Sequence, residues 1–272
     1  MGLYPKAIIL AGGSGTRLHT LGRLLPKCLL PVFDKPLLIH QIEQCAQAGV
    51  GEVLVLTSAR FEPSLRSALS QYTPPSGISL TCVAEPQALG PILGLLSLVP
   101  WIAGEPALVL LGDEYYEDSS PFLSLAQRVA VPDLLLGVVH DSAPHRILCN
   151  VVTDADGRVL SLREKPTVEQ RVGATRWCGF TGLGAGLLDD VPQEALAGCA
   201  YLGDLFSFLV GRGSRAEPLE FREIHLNLNT ADEALLASLV EARRRHRQEG
   251  HPRLAAIEDA IEAFWLAEAP SG

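Results

Sequence analysis

The residues with the most evident chemistry lie between Lys6 and Pro36. Gly12, Gly13 and Gly15 form a loop, Arg17 follows it, and Lys27 stands ten residues later between Pro26 and Cys28. Glycines carry no Cβ, so their backbone N–H groups can crowd around an anion. A run of such amides makes an anion-binding concavity. Arg17 adds a planar fork for phosphate oxygens, and Lys27 adds a compact charge on a mobile stem. Pro26, Pro31 and Pro36 stiffen the segment. The set predicts a polyphosphate site. It is not a P-loop, because no GK[ST] follows, and it is not the G-x-G-x-x-G dinucleotide turn. It is not a nucleophile elbow either, because Thr16 stands where the last glycine should be. Taken alone, the glycines also fit a plain strand-to-helix turn.

Further polar groups sit at the ends of apolar runs. Asp113 follows Leu110-Leu111-Gly112. In open α/β sheets ligands bind beyond the carboxyl ends of strands, and both the glycine loop and Asp113 occupy such ends. Asp113 is either a hard-oxygen ligand for Mg²⁺ carried by a triphosphate or the cap of a turn. Glu164-Lys165-Pro166 closes a strand and reads by default as a surface turn. Asn227 and Asn229 precede a helix near Ala231 and can cap it. The seven histidines show no ligand spacing. The six cysteines (28, 45, 82, 149, 178, 199) contain no C-x-x-C and read as small buried thiols in a reducing cytoplasm.

Ala11-Gly12-Gly13-Ser14-Gly15-Thr16-Arg17-Leu18, then Pro26-Lys27, Leu29-Leu30-Pro31-Val32 and Lys35-Pro36, resemble the signature of the nucleotidyltransferases that make nucleotide sugars. The likeness is strongest to the glucose-1-phosphate thymidylyltransferases and covers roughly residues 5–230. It implies that an NTP and a sugar 1-phosphate give an NDP-sugar and pyrophosphate, with Mg²⁺, of the dTDP- or UDP-glucose type by default. By this resemblance Arg17, Lys27 and Lys165 are the catalytic cations. Leu10, Ala11, Gly12, Gly13, Ser14, Gly15, Thr16, Glu85, Gly90 and Gly112 form the nucleotide site. Glu164, Lys165, Thr181, Gly182 and Asn150 form the acceptor site, with Glu164 on sugar hydroxyls and Lys165 on the sugar phosphate. Asp113 and Asn227 hold the metal. The thymidylyl enzymes commonly carry Asp in place of Asn227, whereas relatives that make UDP-N-acetylglucosamine use Asn.

The chain departs from this pattern in two places. Gly90-Pro91-Ile92-Leu93-Gly94 replaces the usual Gly-Thr-Ala-Gly or Gly-Leu-Ala, and Glu85 falls near a glutamine that pairs with thymine. Leu148-Cys149-Asn150 replaces Tyr-Gly or a similar pair before Val151. The base and the acceptor therefore stay open. A cytidylyltransferase acting on a non-sugar phosphate such as phosphocholine is one alternative. A non-catalytic nucleotide-sugar-binding regulatory module is another.

The elements that must position these residues follow from the hydrophobic pattern. Strands are expected over 7–11, 53–57, 79–84, 107–111 and 134–139. Helices are expected over 37–48, 63–71, 90–99 and 120–130. Continuous apolar runs separated by helices predict a mostly parallel sheet covered on both faces. A hairpin (151–153 with 159–162), a strand over 179–183 and a helix near 201–210 extend it as a mixed sheet. Helices over 231–248 and 252–267 close the chain. The expected fold is α/β, a Rossmann-like three-layer nucleotidyltransferase fold with a mostly parallel mixed sheet flanked by helices and a short helical C-terminal tail. Its nucleotidyltransferase domain spans 1–230, with a nucleotide-binding part at 1–140 and a sugar-phosphate-binding part at 141–230. The helical segment is 231–272.

The 272 residues carry a net charge of −9, which argues against nucleic acid as a partner. An anionic substrate must then be met by local cations. The sequence has no signal-peptide layout and no apolar stretch long enough to span a bilayer, so a cytoplasmic protein with no membrane partner is expected. Family members commonly form dimers or tetramers, and the resemblance admits a homo-oligomer. Arg243-Arg244-Arg245-His246-Arg247 points all round a helix and reads as a solvated surface or subunit contact.

Overall fold

The computed structural model describes residues 2–13, 15–85, 87, 89–140, 148–171, 175–192, 196–250 and 253–267. Its strands are β1 (Lys6–Leu10), β2 (Pro31–Val32), β3 (Lys35–Pro36), β4 (Glu52–Ser58), β5 (Ser79–Glu85), β6 (Ala107–Leu111) and β7 (Glu114–Tyr116). The second half contributes β8 (Leu134–His140), β9 (Cys149–Thr153), β10 (Val159–Glu164), β11 (Thr175–Leu183), β12 (Ala216–Glu220) and β13 (His225–Asn227).

Nine strands form one mixed sheet in the order β10-β9-β11-β6-β1-β4-β5, with β8 and β12 attached through β11. β5, β4, β1 and β6 run parallel. β11 is antiparallel to β6, β8 and β9, and it joins that half to the rest. The apolar runs of the parallel half bury both faces, as such strands must. Ala7 and Ile9 pack with Leu38, Ile42 and Leu65 on one side. Ile8 packs with Ile92, Leu95 and Ile102 on the other. Helices Leu37–Gln47, Glu62–Ser70 and Ser120–Leu125 supply residues to the first core; Gly90–Leu96, Val99–Ile102 and Leu202–Gly211 supply the second.

Several expected boundaries move. The helix expected over 90–99 is two pieces broken at Ser97-Leu98, with Pro100 in the first turn of the second, where its missing N–H costs nothing. The helix from Ser120 stops at Leu125 instead of reaching Ala130. Val129 and Val131 are β-branched, and Pro132 disfavours helix before it. β11 starts at Thr175, earlier than expected, pairing there with both β8 and β9, and it carries a register shift between Trp177 and Thr181. Gly179 lies inside that shift with φ +75°, which makes it a bulge. β7, β12 and β13 are too short or too polar to stand out in the sequence. β7 and β13 pair antiparallel, and this ribbon sets Asn227 opposite Glu114.

The Ala231–Glu249 helix opens on a capping box. Thr230 Oγ1 accepts from the Glu233 amide, and Glu233 accepts from the Thr230 amide. Thr230, not Asn227 or Asn229, is therefore the cap. The arginine run on this helix is no open surface. Arg243 donates to Glu117, Arg244 and Arg245 to Glu241, Arg245 also to Asp34, and Arg247 to Glu258. Arg243 and Arg245 thereby tie the helix to Glu117 and Asp34 of the body, over a third apolar cluster of Leu30, Val32, Tyr115, Leu226 and Leu236, whereas the Glu241 pairs lie within the helix and Arg247 reaches the Leu254–Ala267 helix.

Glu241 is 1% exposed and accepts from Tyr115 Oη at 2.9 Å. Burial alone would raise its carboxyl pKa, but Arg244, His40 and Arg245 overcome this and bring it to about 2. A depressed carboxyl contributes stability above its unfolded value and loses it as pH falls toward the folded one. The melting temperature should therefore drop between about pH 5 and pH 2, and the slope should flatten in Glu241→Gln. Thermal melts across that range check it, and parallel slopes in the two proteins would remove this role for Glu241.

Candidate active site

The glycine loop and β6 meet at the carboxyl ends of neighbouring strands. The Gly112 amide donates to Leu10 O at 2.9 Å. A Cβ on Gly112 would lie 3.0 Å from that oxygen and 3.1 Å from Ala11 Cα. Leu10, Ala11 and Gly112 thus pack edge to edge, leaving no room for a side chain between them. Gly12 and Gly13 are exposed, with open space around Gly13. Gly15 takes φ +58°, and its carbonyl accepts from Leu18 N. A Cβ on Gly22 would lie 2.0 Å from Gly15 O, so Gly22 of the His19–Leu24 helix is required for the loop's shape. Nothing in the sequence motif marked it. Ser14 lies outside the described residues, and Thr16 begins a short 3₁₀ turn, Thr16–Leu18. Glu85 faces this loop, its Oε2 3.8 Å from where a Gly12 Cβ would be. Its Oε1 occupies the space a Gly94 side chain would need. Partial burial raises its pKa, and a bond from the Leu89 amide offsets this in part. Gly90 opens its helix with φ +80°.

A cavity of about 700 Å³ is lined by Arg17, Pro91 and Asp113 together with Leu148, Glu164 and Lys165. The turn that carries Asp113 is tied down by Gln41, a buried side chain whose Nε2 donates to Leu111 O (2.7 Å) and Glu114 O (2.9 Å). Lys27 Nζ lies 2.7 Å from Asp113 Oδ2 and 2.6 Å from Asn229 Oδ1.

From Lys27 the polar contacts continue into the protein in one direction. Lysine only donates, so Asn229 presents its oxygen to Lys27 and its Nδ2 to Asn227 Oδ1. Asn227 must then turn its own Nδ2 toward Glu114, and it bonds Oε1 at 2.6 Å. Arg176 Nη1 lies 2.9 Å from His225 Nδ1. Arginine only donates, so Nδ1 is the acceptor and the ring proton sits on Nε2, 2.8 Å from Glu114 Oε2. Glu114 Oε1 thus accepts from Asn227, while Oε2 and His225 Nε2, though 2.8 Å apart, make no hydrogen bond. Burial pushes its pKa well up and Asp113 pushes the same way, while Arg176, Asn227 and Lys27 oppose them. His225 is neutral because burial, then the Arg176 charge, hold its pKa well down.

On the acceptor side, Glu164 ends β10 opposite Cys149 of β9. Its Oε1 accepts from the Gly203 amide at 3.0 Å, and a Cβ on Gly203 would fall 2.3 Å from that oxygen. Burial raises the Glu164 pKa, and the Gly203 and Cys149 bonds oppose this. Lys165 has φ +46°, a conformation uncommon outside glycine. Its Nζ lies 4.5 Å from the Tyr201 ring centroid.

Three expected acceptor residues sit elsewhere. Thr181 is fully buried, its hydroxyl taking the Trp177 Nε1–H at 3.2 Å. Gly182 lies under Tyr4, whose Oη would be 2.7 Å from an added Cβ. Asn150 is buried and donates to Gln170 O. None of the three lines the cavity; Gly179 does, as do Arg176 and Trp177. The bulge explains the shift. It turns the front of β11 to the cavity and the rest into the core, so the Thr-Gly-Leu triplet of the sequence pattern places its glycine three residues past the one that reaches the cavity.

Asp113, Asn227 and Asn229 offer hard oxygens of the kind Mg²⁺ takes. Lys27 already places a positive charge between two of them. No group of three or more His, Cys, Asp or Glu suited to a metal occurs among the described residues. A cation held by these oxygens would need its remaining ligands from phosphates.

The parallel strand ends, the glycine loop and the facing cations define a phosphate-handling α/β protein. Residues 6–184 match the family model described as Nucleotidyl transferase, and the chain belongs to that family. Over 163 residues it is 32% identical to the glucose-1-phosphate thymidylyltransferase of Mycolicibacterium smegmatis, covering 59% of this chain and 55% of that protein. It is 31% identical over 167 residues to the corresponding protein of Actinoplanes sp., covering 59% and 52%. These matches span about half the length of those relatives. A solved UDP-glucose pyrophosphorylase in complex with UDP-glucose superposes with a TM-score of 0.73 at 18% identity, covering 89% of this chain and all of that one. This likeness shows the fold.

Proposed function

We propose that this chain transfers a nucleoside monophosphate from an NTP to a sugar 1-phosphate, releasing pyrophosphate. The observation that carries the reading is that Lys27 packs against Gly15 and bonds Asp113, and that Asp113, Glu164 and Lys165 line one cavity. The relatives' names support it. In this reading Arg17 and Lys27 bind the triphosphate and stabilise the departing pyrophosphate. Lys165 holds the acceptor phosphate for in-line attack on the α-phosphorus, and Glu164 takes sugar hydroxyls. A phosphate monoester is largely a dianion near neutral pH, so no general base is required. The work is positioning and charge neutralisation. Asp113 and Asn227 would hold Mg²⁺, which supplies charge neutralisation at the α-phosphate when bound.

A sugar suits the acceptor side better than phosphocholine. The Tyr201 face that could stack on a quaternary ammonium already carries the Lys165 ammonium. Leu148 is half exposed at the cavity and replaces the family's small pair, so glucose 1-phosphate is a starting point only.

The test crosses dTTP, UTP, CTP, GTP and ATP against sugar 1-phosphates and phosphocholine with Mg²⁺, reading pyrophosphate. One strong sugar pair is expected. Nucleotide-sugar binding with no pyrophosphate from any pair would move the protein to a binding role, and activity with CTP and phosphocholine alone would overturn the sugar assignment. Asp113→Asn should raise the Mg²⁺ concentration needed for half-maximal rate. An unchanged Mg²⁺ titration would put the metal elsewhere.

A further inference from the structure

We infer that Glu85 selects guanine as the base of the nucleotide. The inference rests on the nucleotide site of the reading above and names the base which that reading leaves open. The glycine loop has an electrostatic direction. At one end a Cβ on Gly15 would lie 3.6 Å from Lys27 Cγ, and Arg17 follows, exposed. At the other end a Cβ on Gly12 would lie 3.8 Å from Glu85 Oε2. Phosphates are drawn to the cations and repelled by the carboxylate. A nucleoside triphosphate on this loop therefore turns its charged tail toward Arg17 and Lys27 and its uncharged end toward Glu85.

Glu85 is held in place at the carboxyl end of β5. Its Oε1 fills the space that a Gly94 side chain would take, and the Leu89 amide bonds the carboxylate. It stays partly exposed, so it is ionised near neutral pH. An ionised carboxylate only accepts, at about four lone-pair positions. With the Leu89 bond made, it can still take two donors from a base. Guanine offers two side by side, the N1–H and the N2 amine, with no acceptor between them. Uracil and thymine carry one N3–H between two carbonyl oxygens, which a carboxylate repels. Cytosine and adenine set their amine beside a ring nitrogen that accepts. Paired bonds to an ionised acceptor are the strong ones, and a site built to take them rejects a base that lacks one.

The experiment is isothermal titration calorimetry of the full chain with GTP, ITP, UTP and dTTP, without acceptor. Inosine lacks only the N2 amine of guanine. GTP should bind at least about tenfold tighter than ITP, UTP or dTTP. Glu85→Gln replaces one accepting oxygen with a donor, which suits the N3–H and neighbouring oxygen of uracil and opposes the guanine amine. In the folded variant, checked by its melting temperature, the advantage of GTP over ITP should shrink to within about twofold, and UTP and dTTP should gain on GTP. A side chain that only shapes the loop would weaken all four alike. Two results would overturn the inference: GTP no tighter than ITP in the parent, or an equal loss for all four nucleotides in folded Glu85→Gln. The first comparison needs no variant and decides the matter even where Glu85→Gln does not fold. Pyrophosphate release from UTP or dTTP but not from GTP would overturn the inference and leave the transferase assignment standing. Guanine-selective binding with no pyrophosphate from any acceptor would do the reverse. Parent protein that binds none of the four would remove both.

Discussion

Lys27→Ala should lower kcat by about 10²–10³-fold, the scale of removing one donor from a developing negative charge. The structure adds a second, opposite effect. Lys27 Nζ sits against Asp113 and Asn229 at 2.7 and 2.6 Å. In the free protein it competes with any cation for those oxygens. Without it, Mn²⁺ alone should bind tighter even as turnover collapses. A merely structural lysine would lower stability and leave metal affinity unchanged or weaker. The measurement is therefore paired: steady-state rates with the best NTP and acceptor, and Mn²⁺ titration without nucleotide. Turnover near that of the parent would remove Lys27 from the reaction. Weaker metal binding would show that Lys27 orders the site without competing for it.

The largest effect on stability is expected at Gly179→Ala. The backbone there has φ +75°, a conformation that costs a residue with a Cβ about 1–3 kcal/mol. The new Cβ would also lie 2.6 Å from Glu114 Cγ. Glu114 is buried and bonded to Asn227 through Oε1, so it cannot swing aside freely, and such overpacking costs about 1–3 kcal/mol more. A loss of about 3 kcal/mol is expected in denaturant melts. Gly182→Ala is the comparison. Its Cβ would meet Tyr4 Oη at 2.7 Å, in the core and away from the cavity. It should destabilise the fold while leaving metal and nucleotide affinity per folded molecule unchanged. If both variants bind alike, the assignment of Gly179 to the cavity and Gly182 to the core is wrong.

These two glycines show what the sequence made legible. Periodicity and glycine punctuation were enough for the parallel half, because β1, β4 and β6 are continuous apolar runs. The cations Arg17 and Lys27 and the carboxylate of Asp113 stood in recognisable spacing; Arg17 and Asp113 line the cavity, and Lys27 is bonded to Asp113. The bulge in β11 was not legible, since Gly179 and Gly182 look alike in a string. The choice between them depends on a register shift that only pairing with β8 reveals. Glu114, Arg176 and His225 were missed for a related reason. They are scattered over 112 residues, from 114 to 225, and share no motif. A signal existed in each case. Arg176 interrupts a strand otherwise made of Trp177, Cys178 and Phe180, and a charge in such a run must be paired. Glu114 follows directly on the carboxylate Asp113. Neither fact tells which partner answers it until the β7–β13 ribbon is drawn.

The wiring of Lys27 also bears on how the molecule is made. Its bond to Asn229 spans 202 positions, Phe33 N reaches Ser238 Oγ across 205, and Asp34 meets Arg245 across 211. The parallel strands β1, β4 and β6, by contrast, have all emerged by residue 111. A ribosome releases the chain from its N-terminus at a pace of about 5–20 residues per second. The anion loop can thus exist for about ten seconds before its distant wall is translated. During that interval Lys27 has no Asn229 to rest on, and Leu30 and Val32 lack their cover from Leu226 and Leu236. Nascent chains arrested before residue 225 should therefore display an uncovered apolar strip beside a cationic loop, a pairing of the kind that attracts ribosome-associated chaperones.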